Sequence, residues 1–430
     1  MALYWMSMIP RHENDASPPP CHLTLAALAV LALLSGAFST ACNAGANGQQ
    51  AIAREQLFTL SYGPAEDQLD LFQVQGTDGS RKTRIAMRDG VFWFSNGNSS
   101  KVLRLSSYGD ILSVVYNADR NPEPALRSGG TAGKTGRIIE AYPFEAPGEI
   151  AIDSENTLYV EDRMPPERRV SEGGTGASLE YAVLRFNKDG KFIDYLGQEG
   201  IGGTPFPFIQ GIFVTESDDV VVISIEQEAW LVHWFDSRGG LRNSLKLPRN
   251  ALPKPGGQEG FLASLDRVVP DTKGRAIILQ VDYSREIVDT QTKSRSGIEY
   301  AGSWLYRMDL ARGAVTDRWE IPPQDMSSRN SEDGSTRKYM LVPELLGVAG
   351  ERFFFVTIDD DSHTTVSILG RLNKSVRRFA IAIAQDELYF NTMSLSRDGV
   401  ISALLGSRYE ARVVWWRFDK LASLGVGPLK

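Results

Sequence analysis

The chain is predicted to be all-β, a six-bladed β-propeller with a seven-bladed count as its rival, on three observations. A short unit recurs along the chain, Gly and Asp turn residues punctuate it, and few stretches beyond residue 55 carry a convincing helical period. Short strands repeating at this scale, separated by such turns, are the pattern of propeller blades.

The recurring unit reads KVLRLSSYGDIL at Lys101–Leu112, AVLRFNKDGKFI at Ala182–Ile193 and LVHWFDSRGGL at Leu231–Leu241. It returns as LYRMDLARGAV at Leu305–Val315 and VVWWRFDKL at Val413–Leu421, with a weaker copy, ILGRLNK, at Ile368–Lys374. The shared core is an apolar pair, Arg, a large apolar residue, then Ser, Asn or Asp, usually with Gly soon after. Such a sequence is a strand entering a turn: the Asx side chain holds its own backbone and Gly takes a positive φ. Arg104, Arg185, Arg307, Arg371 and Arg417 occupy one step of the unit, and Trp234 stands there in the third copy. Spacing between these positions runs from 46 residues (371 to 417) to 81 (104 to 185), the extra length falling in polar loops.

Each copy follows a second apolar run that begins after a turn. These runs are VFWFS after Asp89-Gly90, TLYVED after Glu155-Asn156 and VVVISI after Asp218-Asp219. The later three are RAIILQV after Lys273-Gly274, RFFFVTI after Gly350-Glu351 and LYFNTM after Asp386-Glu387. The blades therefore span about 89–125, 147–200, 209–248, 262–322, 344–380 and 381–425, and the sixth lacks a final strand. Residues 55–80 hold two strand-like runs, Gln56–Tyr62 and Gln68–Gln75, placed to supply it and to close the ring. The rival count puts these runs in a seventh blade together with residues 70–94.

The run Asn156–Asp162, with Val183-Leu184-Arg185-Phe186-Asn187-Lys188-Asp189-Gly190, resembles the blade of NHL-type six-bladed propeller repeats. Residues 89–112 match that blade fairly, and the remaining units by skeleton only. The resemblance implies a fold and leaves activity open.

Residues 23–38, LTLAALAVLALLSGAF, form an apolar run of secretory-signal length, short for a spanning helix. Ser39, Thr40 and Ala41 then precede Cys42, which resembles the processing box of bacterial lipoproteins, with Ser39 where Leu is usual. The resemblance implies a signal peptide at 1–41, a lipidated Cys42 and a small polar tether at 42–54, and hence membrane attachment in the bacterial envelope. An ordinary signal peptide or uncleaved anchor is the other reading. Together with the repeats, this segment gives the chain a likeness to uncharacterised spirochaetal lipoproteins.

Composition narrows function by exclusion. Both cysteines and two of the four histidines lie in the first 42 residues, so beyond them the chain has no thiol and only His233 and His363. Zinc fingers, Cys nucleophiles and three-histidine centres have no residues to build them. A net charge of −7 gives no support to nucleic-acid binding. GGTAGKTG at 129–136 has the Gly133-Lys134-Thr135 end of a phosphate-binding loop. It lacks the first glycine, at Ser128, and the strand–helix context, so it reads as a surface loop.

Few residues suggest chemistry. His233 lies within a strand. Asp359, Asp360 and Asp361 beside His363 form either a solvated turn or a weak calcium site, since calcium is held by clustered oxygens. Glu161, Asp162 and Arg163 end one second strand, and Asp282, Tyr283 and Glu286 end another. Six-bladed lactonases gather calcium from such inner positions, although no motif of those enzymes is present. The repeated arginines lie over the next blade as ion-pairing glue or form an exposed ring of charge. Phe206 and Phe208, after the glycine-rich stretch at 197–203, either pack between blades or face a partner. The resulting expectation is a binding or assembly scaffold for a protein, peptide or glycan, without a cofactor. A metal-dependent hydrolase at the axis is the alternative.

Overall fold

The computed structural model describes residues 50–72, 81–125, 136–171, 178–197, 203–255, 260–289, 291–329, 336–359, 362–387 and 389–421. Cys42, the signal segment, Asp360, Asp361 and most of GGTAGKTG lie outside the described residues.

Six antiparallel sheets form the blades of a ring, and each is written here as strands a to d from the axis outward. Blade 1 is Thr83–Arg88, Val91–Asn96, Lys101–Leu105 and Ile111–Tyr116; blade 2 is Ile150–Ile152, Leu158–Arg163, Tyr181–Phe186 and Phe192–Tyr195. Blade 3 is Phe208–Val214, Val220–Ile225, Ala229–Phe235 and Leu241–Pro248; blade 4 is Leu262–Pro270, Ala276–Val288, Arg295–Asp309 and Ala314–Ile321. Blade 5 is Glu344–Ala349, Arg352–Ile358, Thr364–Gly370 and Val376–Ile381. Blade 6 takes strands a to c from Phe390–Leu395, Val400–Gly406 and Glu410–Arg417, and strand d from Arg54–Tyr62. An N-terminal strand thus completes the C-terminal blade, which settles the count at six.

In blades 1 to 5 the recurring unit is the turn from strand c into strand d, and in blade 6 it runs into the single helical turn Phe418–Lys420. In blade 2, Asn187 Oδ1 accepts the N–H groups of Asp189 and Lys191 at 3.0 and 2.9 Å, and Gly190 has φ of 73°. In blade 3, Asp236 Oδ1 accepts those of Arg238 and Gly240 at 2.9 Å each, and Gly239 has φ of 89°. A side chain at either glycine would be strained in that conformation.

Each junction between neighbouring blades holds one apolar cluster. Trp93 and Val102 meet Val160 and Leu184 between blades 1 and 2, and Tyr159 and Val183 meet Val222 and Phe235 between 2 and 3. Val221 and Trp234 meet Ile277 and Leu279, then Ile278 and Leu305 meet Phe353 and Leu369. Phe354 and Ile368 meet Ile401 and Val414, and Leu404 and Val413 meet Phe92 and Leu103 to close the circuit. Both faces of every blade are therefore buried, which is why the second strands read as continuous apolar runs.

Several boundaries differ from the sequence reading, and Ile138–Ala141, outside the expected blades, pair in parallel with Ser113–Tyr116 at the edge of blade 1. Blade 1 begins at Thr83–Arg88, where two arginines flank the short run Ile-Ala-Met and hide a strand with one face on the axis. Phe390–Leu395 is the innermost strand of blade 6, and Val400–Gly406 is its second strand. Gln50–Ile52, inside the expected tether, pair in parallel with Phe379–Ile381. Of Gln68–Gln75 only Gln68–Leu69 is strand among the described residues, parallel to Ser61–Tyr62.

The closing strand is clamped by charge as well as by backbone pairing. Arg54 donates to both oxygens of Glu387 at 2.6 Å, Arg412 donates at 2.8 Å and the Ala384 N–H at 2.9 Å. Burial raises the Glu387 pKa, but these bonds outweigh it and hold the carboxyl at about 2. A depressed folded pKa contributes stability that is present above the unfolded value, about 4.3, and is lost as pH falls toward 2. The loss of stability between pH 4 and 2 is therefore expected to be shallower in Glu387→Gln, as measured by denaturant titration at each pH. Equal slopes for the two proteins would contradict the assignment.

Candidate functional site

The six a strands run down a central channel, and the extra length of the chain gathers where they begin. Connections from b to c and from d to the next a lie on that face. They include the hairpin continuing blade 4 through 283–302, the strand pair Val170–Ser171 with Ser178–Leu179, and the hairpin Gln324–Arg329 with Thr336–Leu341. On the opposite face the a-to-b and c-to-d turns are short throughout, as at 89–90 and 106–110. Exposed apolar side chains follow the same division. Phe208, Leu262, Ile298, Val342, Ile358 and Tyr409 all lie on the decorated face. Exposed apolar groups elsewhere are fewer: Tyr108 and Leu372 sit on turns, and Phe192, Ile193, Leu241 and Val315 on outer strands.

A cavity of about 500 Å³ occupies the channel below this face. At its mouth stand Arg84, Glu149, Gly211, Arg267, Glu344 and Thr392, one from each a strand. Each sits opposite the fourth or fifth residue of its own b strand, so the six share one level. Blades three apart face each other across the axis. Arginine therefore faces arginine, glutamate faces glutamate and Gly211 faces Thr392. The next level down is Ala86, Ala151, Phe213, Val269, Gly347 and Ser394, small or apolar apart from the serine.

The two charged pairs differ in closure. Arg84 Nε lies 2.7 Å from Glu149 Oε1, and Lys82 Nζ reaches the same oxygen at 3.6 Å. Arg267 and Glu344 stand 3.8 Å apart. Asp266 beside them is at the exposed rim, yet desolvation of its carboxyl and the charges of Asp282 and Glu344 push its pKa to about 6.

Lys82 anchors the first half of the mouth. Its Nζ donates to Glu161 Oε1 and Oε2 at 2.9 and 2.8 Å and to the Ile209 carbonyl at 2.5 Å, joining blades 1, 2 and 3. The Phe208 ring lies 4.3 Å from that nitrogen. Burial raises the pKa of the fully enclosed Glu161, and Lys82 opposes the shift. Glu161 Oε2 also accepts the Glu149 N–H at 2.8 Å. A Cβ at Gly148 would approach that oxygen to 2.5 Å, so the glycine keeps the pocket open for the carboxylate.

The acids singled out from sequence do not converge on the axis. Asp162 caps the backbone N–H groups of Glu145, Ala146 and Arg163, and burial pushes its pKa to about 7. Asp282 accepts from the Ser303 hydroxyl and from Gln280, while Glu286 is out on the hairpin, 3.0 Å from Arg295. Asp359 closes its own turn, accepting the His363 N–H at 2.8 Å. Among the described residues no group of three His, Cys, Asp or Glu side chains is placed to hold a metal ion. His233 is half-buried against Phe206 and Phe235.

The repeated arginines have mixed partners. Arg371 bonds Asp271 of the preceding blade at 2.8 and 2.6 Å, and Arg307 shares that carboxylate from within blade 4. Arg185 and Arg417 pair inside their own blades with Asp194 and Asp419. Arg104 lies over Trp93 and reaches the Lys188 carbonyl of blade 2, and the Trp234 indole donates to Asp219. Phe206 is buried and Phe208 is 42 % exposed, so the two phenylalanines divide between packing and surface.

The mouth residues Lys82, Arg267 and Glu344 were not singled out by sequence reasoning. Their signal is a charge at the head of an apolar or small-residue run, as in Glu344-Leu-Leu-Gly-Val-Ala.

No family model matches the chain, and no curated protein matches it. Among solved structures it is similar to the AfRom2 CNH domain, with 10% identity and a TM-score of 0.37 over 85% of this chain and 99% of that one. It is also similar to the β-propeller domain of the trilobed protease from Pyrococcus furiosus, with 7% identity and a TM-score of 0.40 over 79% of this chain and 95% of that one. A protein of unknown function from Bacteroides caccae gives 11% identity and a TM-score of 0.34 over 72% and 82% of the two chains. At these values the likenesses carry no argument about activity.

Proposed function

We propose that this chain is a binding scaffold that presents its decorated face to a protein, peptide or glycan partner, held at the bacterial envelope by lipid on Cys42. One observation carries the reading: loop insertions and exposed apolar side chains fall together on the face where the inner strands begin. A rigid ring with short turns on one side and long hairpins on the other suits a platform whose contacts lie on loops. The NHL-type resemblance of residues 156–190 fits the same use and adds no activity to it. The envelope address rests on the apolar run 23–38 and the small residues before Cys42. A hydrolase at the axis has no metal cluster to support it among the described residues.

Two measurements test the proposal. Cys42→Ala is expected to move the protein from the membrane to the soluble fraction, and retention on the membrane would contradict the lipid anchor. Capture of partners from cross-linked membranes is expected to fall about tenfold in the triple variant Ile298→Ser, Ile358→Ser, Tyr409→Ser. Undiminished capture by a folded triple variant would overturn the choice of face.

A further inference from the structure

The charged level of the channel mouth has an approximate two-fold pattern, and the two halves are not equally satisfied. In the first half, Arg84 and Glu149 are in hydrogen-bonding contact, and Lys82 lies beside them. Glu149 is also 13 % exposed, so this half is closed by its own residues. In the second half the gap between Arg267 and Glu344 is 3.8 Å, beyond hydrogen-bond reach. Glu344 is 68 % exposed there, and Arg267 Nε is shielded from solvent with no hydrogen-bond partner among the described residues. Equivalent residues at equivalent levels thus form one filled ion pair and one unfilled pair.

We infer that the Arg267–Glu344 half of the mouth binds an α-amino acid with an apolar side chain. The guanidinium takes the carboxylate, and Glu344 takes the ammonium group. An amino-acid head group carries both charges on neighbouring atoms, which suits a cation and an anion on adjoining inner strands, and the charge-assisted bonds fix its orientation. Asp266 stands on the same rim, close enough to Glu344 to feel its charge, and adds an acid to the side that receives the ammonium. The side chain descends toward Ala86, Ala151, Phe213, Val269 and Gly347, where an apolar group is favoured over a charged one. The channel as a whole encloses about 500 Å³, from the mouth to the turns at Asp89, Glu216 and Asp398, so its upper part has room for a single amino acid. This site does not depend on the scaffold reading, because it lies inside the channel and uses none of the exposed apolar side chains of the rim.

The test is calorimetric titration of the full chain with leucine, isoleucine, valine, methionine and phenylalanine, with aspartate and lysine for contrast. At least one apolar amino acid is expected to saturate a single site at millimolar concentration or below. Its N-acetyl and amide derivatives are each expected to bind about tenfold more weakly. Arg267→Met and Glu344→Gln are expected to weaken binding by a similar factor. Glu344 is exposed, so its variant keeps the test available should Arg267→Met fail to fold. The proposal is overturned if none of the five apolar amino acids binds, if the blocked derivatives bind as well as the parent, or if Glu344→Gln binds like the unaltered protein. Partner capture by the rim is unaffected by any of these results, so the two readings stand or fall apart.

Discussion

Removing the chain through Tyr62 is expected to abolish cooperative unfolding of the ring. Strand d of blade 6 is Arg54–Tyr62, and it pairs residue by residue with Glu410–Trp416 through one bulge. Without it, blade 6 ends on an unpaired strand c, and Leu60 is lost from the cluster that joins blades 6 and 1. Glu387, fully buried, would keep only Arg412 and the Ala384 N–H as partners. A milder version is Leu60→Pro, which takes an N–H out of the strand and forces its ring against Ala411; the expected cost is about 3 kcal/mol or more. Glu387→Ala leaves two arginines facing an empty pocket, for an expected loss of about 3 kcal/mol. Denaturant unfolding followed by Trp fluorescence checks all three. A truncated protein with an unchanged, single transition would show that closure contributes nothing.

Lys82→Met alone is expected to destabilise the protein by about 3–5 kcal/mol, because it strands the Glu161 carboxylate in an enclosed site. Three polar groups depend on that ammonium: both Glu161 oxygens and the Ile209 carbonyl. The double variant Lys82→Met, Glu161→Leu removes both charges and is expected to recover most of the loss. A double-mutant cycle reads the coupling directly, and it should be several times that of an exposed pair such as Arg285–Glu299, for which less than about 1 kcal/mol is expected. Additive single losses would mean that Lys82 serves mainly as an apolar stem.

The blades were legible because their physics is local. Buried second strands read as apolar runs, and the c-to-d turns announce themselves through Asn187, Asp236 and the glycines that follow them. Ring closure was legible too, since blade 6 lacked an outer strand and two spare runs preceded blade 1. Innermost strands were harder. Thr83–Arg88 has only three apolar residues, Ile85 to Met87, between Arg84 and Arg88, because one face lines the channel, so it resembles a surface loop until the axis is known. Phe390–Leu395 was hidden by its neighbours: Asp386 and Glu387 look like a turn before a second strand, yet Glu387 is the buried anchor of the closing strand. The mouth was illegible for a further reason. Lys82, Glu161 and Ile209 are far apart in the chain and meet only through the ring, and Arg267 gains meaning only beside Glu344.

The central claim, that one face of the ring does the binding, is tested most directly by site-specific photo-cross-linking in cells. A photoreactive residue is placed in turn at Ile298 and Tyr409 on the decorated face, and at Tyr108 and Leu372 on the turns opposite. All four positions are exposed, from 68 % at Ile298 to 86 % at Tyr108, so access does not bias the comparison. Discrete cross-linked species are expected from Ile298 and Tyr409 and none from Tyr108 and Leu372. The same species from Tyr108 and Leu372, with none from Ile298 and Tyr409, would contradict the claim.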